Sequence, residues 1–68
     1  MNSDVIQGKW KEIQGDVRKK WGKLTDDDLE QINGNAKKLE GTLQKKYGWE
    51  KDKAKKEVEN FSSTHSTH

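Results

Sequence analysis

The sequence predicts an all-α fold: a small four-helix domain built as two packed helical hairpins related by an internal pseudo-repeat. Three observations predict it. Apolar residues recur at steps of three and four along most of the chain, the period of one helix face rather than the alternation of a strand. Proline is absent, so no residue of that kind breaks a helix interior. A glycine-punctuated unit also occurs twice. Shifted by 26 residues, "GKWKEIQGDVRKKWG" (8–22) lies over "GNAKKLEGTLQKKYG" (34–48). Gly8, Gly15 and Gly22 then meet Gly34, Gly41 and Gly48, while Ile13 meets Leu39, Val17 meets Leu43 and Trp21 meets Tyr47. Each copy is followed by a shorter helix, and two such hairpins pool apolar faces that neither buries alone.

Helix one is expected over residues 4–21. Ile6, Trp10, Ile13, Val17, Trp21 and Leu24 follow at steps of four, three, four, four and three, a stripe roughly 80° wide. Ser3 is the expected N-cap, Asp4 suits the positive end of the helix dipole, and Gly22 suits a left-handed terminating position. Helix two opens at "TDDDLEQIN", where Thr25 and Asp28 have the spacing of a capping box. The three aspartates complement the dipole; their spacing is not that of a calcium loop. Asn33-Gly34 punctuates the chain, and two helices are preferred to one helix kinked at Gly34. Helix three carries Ala36, Leu39, Leu43 and Tyr47 on one face and stops at Gly48. Helix four, "WEKDKAKKEVENF", lines Ala54, Val58 and Phe61 along one side. "SSTHSTH" has no periodicity, so residues 62–68 are expected to be a disordered tail beyond a single domain at 1–61.

The chain has 68 residues and no cysteine, with 26% hydrophobic and 38% charged residues and a mean hydropathy of -1.39. That composition borders on disorder. Three tryptophans and the periodicity argue for a folded but thinly cored domain. Fourteen basic and twelve acidic residues leave a net charge of +2, too even to force a nucleic-acid or membrane reading. The start "MNSDVIQGKW" lacks the basic-then-apolar pattern of a signal peptide. No run approaches the roughly 20 apolar residues that span a bilayer. No membrane insertion is therefore expected, and the chain is read as a monomer.

The glycines raise a question, since each costs a helix interior about 1 kcal/mol relative to alanine. Gly8 and Gly15 fall about 180° from the centre of the apolar stripe, and Gly41 roughly 140° from its own. Either another backbone approaches that back face, or the face is solvated and the glycines keep the helices marginal. Charged and amide neighbours favour the solvated face.

An enzyme is not expected. The region read as folded has no histidine and the chain no cysteine, which removes the commonest general base and the strongest nucleophile. No catalytic, cofactor-binding or metal residue is assigned, and His65 and His68 lack a third ligand. The alternative is a nucleic-acid-binding helical module using its lysine-rich surface. "RKKWGK" (18–23) interleaves an indole with cations, so Arg18, Lys19, Lys20 and Lys23 are its candidate contacts.

These residues carry a resemblance. Gly-Lys-Trp-Lys (8–11), Trp-Gly-Lys-Leu-Thr-Asp-Asp-Asp (21–28) and Tyr-Gly-Trp (47–49) before an Ala-x-x-Glu-Val helix resemble the CsbD-like small bacterial stress proteins over residues 2–60. The resemblance implies a bacterial cytoplasmic protein of the general stress response, with a compact four-helix fold and no assigned enzyme activity, cofactor or ligand. The "SSTHSTH" ending departs from that family's charged or aromatic endings. With the composition, it leads to a small non-catalytic stress protein, a hydrophilic protectant of other macromolecules being one reading of its action.

Overall fold

A computed structural model describes residues 6–66. Ser3 and Asp4, the expected start of helix one, and His68 lie outside the described residues. Four helices follow in order: α1 (Trp10–Lys20), α2 (Asp26–Ile32), α3 (Ala36–Tyr47) and α4 (Lys51–Ser66). The chain is also helical at 6–8 and turns at Lys9 before α1. The described residues therefore hold five helical segments where the sequence reading expected four, and no strand.

The extra break has a tertiary cause. Lys9 leaves the helical region at φ -115°, ψ 18°, and its carbonyl accepts the amides of both Glu12 and Ile13 at 2.9 Å. Beside it, the loop joining α2 to α3 presses on the chain. A Cβ placed on Gly34 would lie 3.2 Å from the Gln7 Cα and 3.3 Å from the Trp10 Cβ. Helical periodicity continues through this point, but the close-packed loop does not leave a straight helix undisturbed.

Two further expectations are corrected. Gly22 does not take the left-handed conformation; α1 ends at Trp21, φ -119°, ψ 81°. The positive-φ residues among those described are Asn33, Gly34 and Gly48. Asn33 and Gly34 end α2 and turn the chain, so α2 and α3 are separate helices. Asn35 then caps α3, accepting the Lys38 amide at 3.0 Å. Equivalent glycines of the two copies also differ: Gly8 is exposed and Gly34 buried, while Gly48 is left-handed and Gly22 is not. The second correction concerns the ending. Residues 62–66, expected in a disordered tail, continue α4 as helix. Phe61 and Ser62 are buried, so contact with the rest of the molecule carries the helix past the point where apolar periodicity stops.

The core follows the predicted stripe. Ile6, Trp10, Ile13, Val17, Trp21 and Leu24 are buried with Leu39 and Leu43, joined by Leu29, Ile32, Ala54, Val58 and Phe61. Tyr47 is only half-buried. Trp21 is 2% exposed, and its ring meets that of Phe61 at 5.3 Å between centroids, tying the end of α1 to α4. Gly15 and Gly41 look outward: each is exposed, and no atom of the described residues lies within 4 Å of an added Cβ.

Candidate functional site

The candidate cations lie where α1 ends and the chain turns into α2. Arg18, Lys19 and Lys20 form the last turn of α1, where positive charge complements the negative end of the helix dipole. The Arg18 guanidinium pairs with the Asp26 carboxylate. Lys20 lies over the Trp21 ring at 5.6 Å, and Lys23 over the Tyr47 ring at 5.1 Å. Lys19 is exposed. Three of the four cations thus have partners within the molecule. The structure places them in one neighbourhood and leaves their outer sides in solvent.

An aromatic pair adjoins them. The Tyr47 hydroxyl accepts the backbone N–H of Lys23 at 3.3 Å, closing α3 onto the end of α1. Its ring stacks on Trp49 at 4.7 Å and 21°, and Lys53 lies over Trp49 at 4.9 Å. Two cations and two rings therefore form one group, with each ammonium attracted by the ring quadrupole below it. Sequence reasoning missed Trp49 and Lys53. The available signal was Tyr-Gly-Trp: Gly48, at φ 69°, reverses the chain and folds the second ring back on the first.

Beside this group stands the predicted capping box. The Thr25 hydroxyl accepts the Asp28 amide at 3.1 Å, and the Asp28 carboxylate accepts the Thr25 amide at 2.9 Å. Lys46 reaches the same carboxylate at 3.0 Å. The Thr25 amide first, then the Lys46 ammonium, holds the Asp28 carboxyl below its ordinary value of 3.8. These bonds secure the start of α2 against α3. They leave the aspartate ionised and engaged, in a structural role.

Among the described residues, no three histidine, aspartate or glutamate side chains are grouped to hold a metal. The His65 ring nitrogens are instead directed at Asp16 and at the Phe61 carbonyl. A groove of about 280 Å³ between α1 and α2 is lined by Gln14, Gly15, Arg18 and Leu29 among others. Its charged lining is the paired Arg18 and Asp26 with the exposed Glu30. No helix of the described residues is long and apolar enough to cross a membrane.

Residues 4–56 match the CsbD-like family. The chain belongs to that family. This CsbD-like chain is 55% identical over 62 residues to the UPF0337 protein PA4738 of Pseudomonas aeruginosa, covering 91% of this chain and 95% of that one. It is 56% identical over 61 residues to a UPF0337 protein of Agrobacterium fabrum, covering 90% and 91% respectively. With UPF0337 protein YjbJ of Escherichia coli it shares 46% over 65 residues, covering 96% and 94%. No solved structure matches the chain. The matched CsbD-like segment takes in the stripe of α1, the capping box, all of α3 and the Tyr47–Trp49 pair.

Proposed function

We propose that this CsbD-like protein is a small, non-catalytic stress-response protein that acts through its hydrophilic surface as a protectant of other macromolecules. One observation carries the reading. Among the described residues no charged side chain is buried; Ser62 is the buried polar residue, and the apolar side chains close on one another. Lysines, arginine and carboxylates of both signs therefore coat the molecule in a mixed, strongly hydrated layer. Such a surface keeps the protein dispersed and separates partly unfolded neighbours, while needing no pocket and no reacting group. The test is thermal aggregation of a client enzyme followed by light scattering. Equimolar protein should slow the rise relative to an inert protein of similar size. Identical traces would overturn the proposal.

A second reading, nucleic-acid contact through Arg18, Lys19, Lys20 and Lys23, is favoured by their exposure in one neighbourhood at the end of α1. Titration with duplex and single-stranded DNA at two salt concentrations tests it, because phosphate contacts weaken steeply with added salt. Binding absent at low salt removes this reading.

A further inference from the structure

We infer that His65 is a protonation-sensitive clasp that fastens the last turn of α4 to α1. The ring lies on Phe61, with centroids 4.2 Å apart, so its plane is held while its two nitrogens face different helices. Nδ1 lies 3.0 Å from the Phe61 carbonyl oxygen. Nε2 lies 3.1 Å from Oδ2 of Asp16, 49 residues away. Both neighbours are acceptors. A neutral imidazole has one N–H, so whichever tautomer it takes, one ring lone pair faces an oxygen lone pair. Only the imidazolium donates to both. A third bond runs beside them: the Lys9 ammonium donates to the His65 carbonyl at 3.2 Å, anchoring the end of α4 at the break before α1.

Among the described residues, the charged groups facing this corner are Asp16 from α1 and, just before that helix, Lys9. Glu12 and Lys20 lie one turn to either side of Asp16 on α1. The 6–8 segment contributes none, being Ile6, Gln7 and Gly8. From α4 itself the ring meets the Phe61 carbonyl. With the imidazolium in place, its charge faces one carboxylate and a helix C-terminus, both favourable to a cation. Loss of the proton removes one of the two ring bonds. The turn containing buried Ser62 then opens more readily, while the core beneath it stays closed. The clasp is therefore closed with the proton on the ring and loosened with it off.

The test uses the full chain with His68→Gln, leaving a single imidazole. Amide exchange of residues 62–66, corrected for intrinsic chemistry, is read by NMR from mildly acid to mildly alkaline pH. The opening constant of this turn should rise about two- to fivefold with pH, the effect of one exposed ion pair. Adding Asp16→Asn should flatten the response, because an amide can accept from, or donate to, the facing nitrogen. Asp16 is exposed, so this variant keeps its core. An opening constant independent of pH, or one rising equally in the Asp16→Asn chain, would overturn the clasp.

Discussion

Gly15→Ala puts a methyl group on the open side of α1, and the structure sets both its sign and its size. Gly15 is central in the helix Trp10–Lys20, exposed, with no atom of the described residues within 4 Å of the new Cβ. The substitution therefore displaces no neighbour. It removes conformational freedom that the unfolded chain has and the helix does not, stabilising by about 0.4–1 kcal/mol. For 68 residues, at a melting entropy of about 2.1 cal/mol/K per residue, the melting temperature rises by about 3–7 °C. Gly41→Ala, mid-helix in α3 with the same open surroundings, should move in the same direction. Gly34→Ala should do the opposite. Its φ is +84° and its Cβ would stand 3.2 Å from the Gln7 backbone, so strain and overpacking cost about 1–3 kcal/mol. Circular dichroism melts of the three variants decide the matter. A lower melting temperature for both Gly15→Ala and Gly41→Ala would mean that the outer faces are contact surfaces and that the reasoning fails.

Trp21→Ala removes a ring that is 2% exposed and packed on Phe61, at a cost of about 3–5 kcal/mol. Against a total of about 5 kcal/mol for so small a domain, that leaves about 0–2 kcal/mol, so the variant should unfold at a far lower urea concentration; a near-normal urea midpoint would contradict this. Ser62→Ala should stabilise by about 1 kcal/mol, because the buried Ser62 hydroxyl has no hydrogen-bond partner among the described residues; a lower urea midpoint would show that the hydroxyl is engaged. Asp28 has a folded-state pKa below 3.8, so its ionised form adds stability that is complete above that value by about one unit and lost as pH falls through the depressed one. The melting-temperature gap between wild type and Asp28→Asn should be constant from neutral pH down to about 5 and narrow below about 4, and a gap unchanged at the acid end would remove the assigned role.

What could be read in the sequence was what depends on near neighbours or on period. The stripe from Ile6 to Leu24 was legible because burial follows the 3.6-residue repeat. The Thr25–Asp28 box was legible because both partners lie within one turn. What escaped was decided across the fold. The turn at Lys9 comes from a loop 25 residues further on, where Gly34 meets Gln7 and Trp10. The helical ending comes from buried Phe61 and Ser62 and from the His65–Asp16 contact. Gly22 matched the composition of a left-handed cap, but Trp21 had already left the helix with its ring in the core. At the candidate site the cations were visible as a run. Their partners were not: Asp26 sits across a turn from Arg18, and Tyr47 meets Lys23 from another helix.

The outward glycines bear on function through stability. Gly15 and Gly41 contribute no packing, so their main effect is to weaken two helices, together by about 1–2 kcal/mol relative to alanine. In a larger core that would be minor; here it is a sizeable share of the whole. The charged exterior makes such marginality tolerable, because a chain with only 26% hydrophobic residues exposes little apolar surface when it opens. Under the proposed protectant function two modes of action are distinct, and they separate experimentally. If the folded exterior shields other macromolecules, the double variant Gly15→Ala, Gly41→Ala should protect a heated client as well as wild type does, since no charge has changed. If protection needs the opened chain, the stabilised variant should protect less at the same temperature. The solvated positions of the charged side chains favour the first outcome. A clear loss of protection in a double variant shown to melt higher than wild type would refute it, and would make the glycines themselves part of the activity.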